Sequence, residues 1–180
     1  MKKDFQEVQE KLLANWIFLF QMTILGLILS FLSAQKFELS IIQSGYAAIT
    51  GAILNYTYTP TTVQGQLIET QKETYRIIRD CTGWKSLYLF AALTVTTTKN
   101  KYKVIDYLVT GTIIVIAINI VRLYTTIVLS EIGIISFEII HNWIWNTGMI
   151  ITTLIIWYII TQRETTLKSL SNNISQYLKT

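Results

Sequence analysis

The stretch VIDYLVTGTIIVIAINIVRLYTTIVL, from Val104 to Leu129, decides the fold class. It is the longest apolar block in the chain, and only Asp106 and Arg122 carry charge within it. Its apolar residues fill the block instead of forming one stripe, the pattern of a helix surrounded by lipid or by other apolar helices. About 20 such residues span the hydrocarbon core of a bilayer, so this block is predicted to cross a membrane.

Four further blocks lie on either side. One runs from about Leu12 to Ser33, interrupted only by Asn15 and Gln21, and another from about Ile41 to Tyr56 is short, Gly-containing and weaker. A third, about Thr82 to Thr97, begins next to the lone Cys. The last runs from about Phe137 to Ile160, with Trp143, Trp145 and Trp157 placed like interfacial anchors. The whole chain fits this reading: 180 residues, 51% hydrophobic and 14% charged, against about 25% charged in a soluble domain. The expected fold is an all-α integral membrane bundle of about five transmembrane helices. It forms one domain over residues 1–165, followed by a polar cytoplasmic tail over 166–180.

Net charge is +4 from 15 basic and 11 acidic residues, but the basic residues are scattered at block ends. No Lys/Arg run suggests a face that tracks nucleic acid. They mark topology instead. Lys99, Lys101 and Lys103 between the third and fourth blocks, and Arg163 and Lys168 after the last, place both segments in the cytoplasm. The Gly133 loop carries no Lys or Arg, so it is expected outside, together with the start of the third block. Five full spans then put the N-terminus outside, against the pull of Lys2, Lys3 and Lys11; a re-entrant second block would reverse this. The first apolar run exceeds the 7–15-residue core of a cleaved signal peptide. Between the second and third blocks, Thr62 to Glu69 and Glu73 to Arg79 are rich in β-formers around a polar Thr70-Gln71-Lys72 connection. That pattern suits a small external β-hairpin, or an amphipathic interfacial segment, before the Cys.

With one Cys and one His, intrachain disulfides and Cys/His zinc sites are excluded, and nothing calls for a metal or an organic cofactor. Cys81 sits in Asp80-Cys81-Thr82-Gly83-Trp84-Lys85, where the external segment enters the third helix. Taken alone, a lone Cys is usually a small buried hydrophobe. Here a helix N-terminus and Lys85 one turn on are expected to favour the thiolate. Arg122 lies near the external end of the fourth helix, and an intramembrane Arg is a functional candidate by default, with snorkelling as the bland alternative. Asp106, the one acid in that helix, is 16 residues away, about 24 Å along the axis. Asn119 shares the Arg122 face at i,i+3 and could hold the guanidinium or a substrate carbonyl. His141 opens the fifth helix, suited to proton transfer near neutrality, with Glu138 at i−3 to fix its tautomer. Cys81, Arg122 and His141 all fall at the outer ends of successive helices. Cys with His makes a nucleophile–base pair, and Arg beside them can hold an oxyanion or a carboxylate.

These residues resemble the exosortase/archaeosortase family of membrane cysteine transpeptidases over roughly Gly45 to Ile160. Its members carry a Cys-Ser/Thr-Gly motif, an Asn-x-x-Arg helix and then an Arg or His opening a later helix. This chain offers Cys81-Thr82-Gly83, Asn119-Ile120-Val121-Arg122 and His141. The resemblance implies cleavage of the C-terminal sorting signal of exported proteins, a short motif, apolar helix and basic tail of the PEP-CTERM or PGF-CTERM kind. The new C-terminus would pass to an acceptor such as a membrane lipid, at the outer face of the cell membrane. By the same carry-over Cys81 attacks the scissile carbonyl, His141 is general base and acid, and Arg122 stabilises the oxyanion. Two features depart from the pattern: many members have about eight helices, and His at the third position with a Cys-Thr-Gly-Trp form mixes bacterial and archaeal habits. A different class remains, a small non-enzymatic transporter or channel subunit using Arg122, His141 and Asp106 as an ion path.

Overall fold

A computed structural model describes residues 2–35, 38–98, 100–134, 145 and 147–161, with side chains from Trp16 onward. The chain is mostly helical: α1 (Lys2–Ala34), α2 (Ser40–Thr57), α3 (Trp84–Thr97), α4 (Lys101–Glu131) and α5 (Thr147–Thr161). Between α2 and α3 lie three short strands, β1 (Thr62–Gln64), β2 (Leu67–Glu69) and β3 (Thr74–Arg76), and a 3-10 turn, Arg79–Thr82.

Among the described residues two stretches are long and apolar enough to cross a membrane, Trp16–Ala34 within α1 and Lys101–Glu131 as the whole of α4. With 31 residues, α4 rises about 46 Å. The 18 residues of α2 rise about 27 Å and the 14 of α3 about 21 Å, so α3 is shorter than the apolar core of a bilayer. The Asn100 side chain opens α4 by accepting the Tyr102 N–H at 3.1 Å, one of the donors that a helix start leaves without an intrahelical partner.

The expected two-stranded hairpin is a three-stranded antiparallel sheet ordered β1-β2-β3. The stretch from Thr62 to Glu69 folds back on itself, with Gln64 opposite Leu67. Gly65 at φ +60° leads this two-residue turn, a hairpin connection that needs positive φ at its first central position. The second turn, over 70–73, pairs Glu69 with Thr74. Ile68 and Tyr75 face each other across the ladder and are buried, as is Ile77 beyond it.

One stripe of α2 faces inward: Gln43, Tyr46, Ala47, Thr50, Gly51 and Leu54, the i, i+3/i+4 spacing of one helical face. It packs against the sheet, the 3-10 turn and α4. Tyr46, Leu54, Ile68, Tyr75, Ile77, Cys81, Leu123 and Ile127 form one buried cluster, so the lone Cys belongs to this core. A second cluster, centred on Phe90, Val115, Met149 and Ile156, joins α3, α4 and α5. Phe90 lies over Gly111, where an added Cβ would meet its ring at 1.9 Å; the missing side chain lets α3 and α4 come together.

The sheet is pinned to the end of α4. Thr70 Oγ1 and Tyr75 Oη both donate to the Glu131 carboxylate, the latter at 3.0 Å, and Lys72 Nζ donates to the Glu131 carbonyl. A carboxylate at a helix C-terminus opposes the dipole, and these donors offset that cost. Burial, with Glu131 adding to it against a Ser130 hydrogen bond, holds the Tyr75 phenol above its usual range.

Candidate active site

The 3-10 turn fixes Cys81 before α3 begins. Its N–H donates to the Ile78 carbonyl at 2.9 Å, and Thr82 Oγ1 donates to the Arg79 carbonyl at 2.7 Å. Gly83 then reverses the chain with φ +70° and caps α3. A Cβ at Gly83 would meet the Asn119 side chain at 3.1–3.4 Å. The Cys-Thr-Gly sequence therefore needs its glycine twice, for the left-handed backbone and for the close approach of α4.

Asn119 is fully buried, and its amide joins two elements. Nδ2 donates to the Cys81 carbonyl at 2.8 Å, and Oδ1 accepts from Arg122 Nη1 at 3.1 Å. The i,i+3 spacing from Asn119 to Arg122 thus sets the guanidinium beside the cysteine turn. Arg122 is 6% exposed and does not snorkel to a surface. Thr125 and Thr126 hydroxyls donate to its backbone carbonyl.

Lys85 corrects the sequence reading. Its Nζ pairs with Asp80 at 3.0 Å and also lies over the Trp84 ring, so its charge is engaged by these two neighbours. Burial pushes the Cys81 thiol up from its usual range; the Ile78 hydrogen bond and the Arg122 charge oppose this, and Asp80 adds to it. Among the described residues the cation that opposes this rise is Arg122. Asp80 is held below the usual carboxylate range. Its partial burial works the other way, and is outweighed by the Lys85 and Trp84 hydrogen bonds and the Lys85 and Arg79 charges.

A cleft of about 510 Å³ opens beside this assembly. Asp80, Gly83, Lys85, Ser86 and Arg122 supply its polar wall, and Leu29, Leu89, Met149 and Ile150 its apolar one. Trp145, expected as an interfacial anchor, lines the same cleft. Cys81 is 1% exposed, and its chain neighbours Asp80 and Gly83 line the cleft. A smaller apolar cleft of about 320 Å³, lined by Ile42, Tyr46, Thr82, Trp84 and Ile120 among others, flanks the turn on the α2 side.

Of the residues expected to act together, Cys81, Asn119 and Arg122 are brought into one connected group, and Lys85 lines the adjoining cleft. His141 and Glu138 lie outside the described residues. Asp106 is exposed near the opposite end of α4, so the fold does not bring it to Arg122 as an ion path would require. Among the described residues no group of three His, Cys, Asp or Glu could hold a metal ion.

Other members of the assembly were not anticipated. Arg79 stacks on Trp84 at 5.2 Å, and its guanidinium donates to the Ser33 and Gln35 carbonyls at the end of α1. Gln43 Nε2 donates to the Ile77 carbonyl at 3.1 Å, bracing the approach to the turn. The readable signal for Gln43 was its place on the polar and small-residue stripe of an otherwise apolar helix, which marks an inward face in membranes.

No curated protein matches the chain. No solved structure matches it either. The sequence profile of one family, described as transmembrane exosortase (Exosortase_EpsH), does match, over residues 11–160. That span contains most of α1, all of α2 to α4, the sheet, α5 up to Ile160 and the whole Cys81–Asn119–Arg122 group. The chain belongs to the transmembrane exosortase family.

Proposed function

We propose that this protein is a membrane cysteine transpeptidase that removes the C-terminal sorting signal of exported proteins and passes the new C-terminus to an acceptor at the outer face of the membrane. The observation that supports this reading most is the bridge made by Asn119. One amide holds the backbone of the chain's single Cys and the guanidinium of its buried helix Arg. Burying Arg is costly, and a cation beside a nucleophile is what acyl transfer needs.

In this mechanism the Cys81 thiol gives its proton to His141 as sulfur attacks the scissile carbonyl. Arg122 stabilises the tetrahedral oxyanion. Collapse expels the sorting-signal amine, which takes the proton from His141 and leaves a thioester on Cys81. The acceptor nucleophile then attacks the thioester with His141 as base, releasing the thiol. Burial opposes the Cys81 thiolate, and the Arg122 charge favours it. The 510 Å³ cleft suits a peptide that joins a polar motif to an apolar helix, since its wall changes from Asp80, Lys85 and Arg122 to Leu29, Leu89 and Met149. A lipid is the acceptor class that the setting favours.

Mass spectrometry of the mature C-termini of exported proteins tests the reading. Cells carrying Cys81→Ala or Arg122→Lys are expected to retain precursors with an uncut apolar helix while the variant protein accumulates. Arg122→Lys fails because a point charge does not reproduce the planar fork. Normal processing by Cys81→Ala would overturn the assignment.

A further inference from the structure

The start of α3 lines the 510 Å³ cleft through Gly83, Lys85 and Ser86, and it carries donors that the described residues leave unused. No side chain caps this helix, and its first turn holds no acidic residue. Its first backbone bond runs from the Leu87 N–H to the Gly83 carbonyl at 3.1 Å. The Lys85 and Ser86 N–H groups are therefore among the donors that a helix start leaves open. Ser86 is 7% exposed and lines the cleft, yet its hydroxyl makes no hydrogen bond among the described residues. A hydroxyl so enclosed is normally bonded, and leaving it without a partner is costly. Arg122 reaches the same wall from α4.

We propose that these donors form a subsite for the phosphate of a membrane phospholipid, with Ser86 Oγ and the α3 N-terminus on one side and Arg122 on the other. The charge fits a single anion. Arg122 and Lys85 against Asp80 leave one positive charge in excess, and Lys85 and Asp80 answer each other at 3.0 Å. Backbone N–H groups and the dipole at a helix start favour phosphate oxygens. Donors arriving from two helices suit a tetrahedral group, whereas a planar carboxylate is matched by an Arg fork from one side. Leu89, Met149 and Ile150 continue the cleft as an apolar wall, where the lipid chains lie. Asp80, Trp84 and Lys85 gather at this end of α3, a composition of headgroup depth. That the lipid bound here is the acceptor rests on the transpeptidase reading: the cleaved signal leaves before the acceptor attacks, so two substrates use one cleft in turn. The phosphate subsite itself does not depend on it.

Native mass spectrometry of the full chain released from detergent micelles tests this with three probes. Dioctanoyl phosphatidylglycerol carries chains and phosphate, dioctanoylglycerol the chains alone, and inorganic phosphate the anion alone. The phospholipid is expected to bind saturably and roughly tenfold or more tightly than either of the others. Ser86→Ala should weaken phospholipid binding by roughly five- to tenfold and leave dioctanoylglycerol unchanged. Ser86→Asp puts a carboxylate where the phosphate would sit, and an acidic residue suits the first turn of a helix. Its thermal midpoint should be kept or raised while phospholipid binding falls to the level of dioctanoylglycerol. No phospholipid binding, equal affinity for either of the other probes, or an unchanged affinity in Ser86→Ala would overturn the proposal. So would a sorting-signal peptide that loses affinity in Ser86→Ala while the phospholipid does not, since the donors would then belong to the peptide. No precursor is cleaved in these measurements, so their failure leaves the assignment of Cys81 standing. Normal processing by Cys81→Ala would remove that assignment and leave the lipid result intact.

Discussion

The two flanks of the cysteine turn are built differently. On one side α2, the sheet and α4 enclose Cys81 in a continuous core, and the polar groups there reach specific partners: Gln43 on Ile77, Asn119 on Cys81, Glu131 under Thr70 and Tyr75. On the other side α1 presents Trp16, Phe20, Leu27 and Phe31 outward, and its apolar span has no buried share. Side-chain contacts hold it: Tyr88 Oη on the Leu25 carbonyl at 2.8 Å, Thr96 on Met22, and Arg79 on the last carbonyls. Lipid tails are as apolar as these side chains, so exposure there costs little. One flank holds Cys81 in register. The other leaves room for a cleft.

Substitutions can break or sharpen that contrast. The largest effect is expected from Leu54→Ala on the packed flank, since Leu54 is 0% exposed. A loss of about 2–5 kcal/mol should appear as a lower thermal midpoint. Gly83→Ala comes next, because φ +70° and the Asn119 contact at 3.1 Å both oppose a Cβ. The left-handed backbone alone costs roughly 1–2 kcal/mol, and precursor processing should fall further than stability does. Glu131→Gln keeps the shape but weakens the acceptor for Thr70 and Tyr75, and about 1 kcal/mol is expected. At the opposite extreme Leu27→Ala on the lipid-facing side of α1 should stay within about 0.5 kcal/mol. A loss there as large as that of Leu54→Ala would erase the distinction between the flanks.

A pH series sharpens it again. The folded-state pKa of Asp80 lies below its ordinary value. Its stabilising contribution is therefore fully present above the unfolded value and is lost as pH falls through the folded one. Acid should loosen the Asp80–Lys85–Trp84 contacts on the cleft wall, a change seen as altered Trp84 fluorescence that Asp80→Asn abolishes.

The sequence made some of this legible and hid the rest for physical reasons. The fourth block was readable as α4 because few polar groups interrupt it, and that scarcity singled out Asn119 and Arg122, which turn inward. The target of Asn119 was not readable, since a backbone carbonyl leaves no mark in the sequence. The second block looked weak because Gln43, Tyr46 and Thr50 lower its hydropathy, yet those residues form its buried face. Lys85 was legible as a charge one helical turn from Cys81, but its ion pair with Asp80 was not. Gly65, a single residue inside a run of β-formers, turned an expected long strand into two short ones.

The most direct measurement of the central claim is intact-mass spectrometry of the protein mixed with a precursor bearing a sorting signal, quenched in acid before turnover is complete. An acyl adduct is expected on the peptide that contains Cys81, released by neutral hydroxylamine as a thioester must be, and absent from Cys81→Ala. Cleavage of the precursor with no adduct on Cys81, or undiminished cleavage by Cys81→Ala, would contradict it.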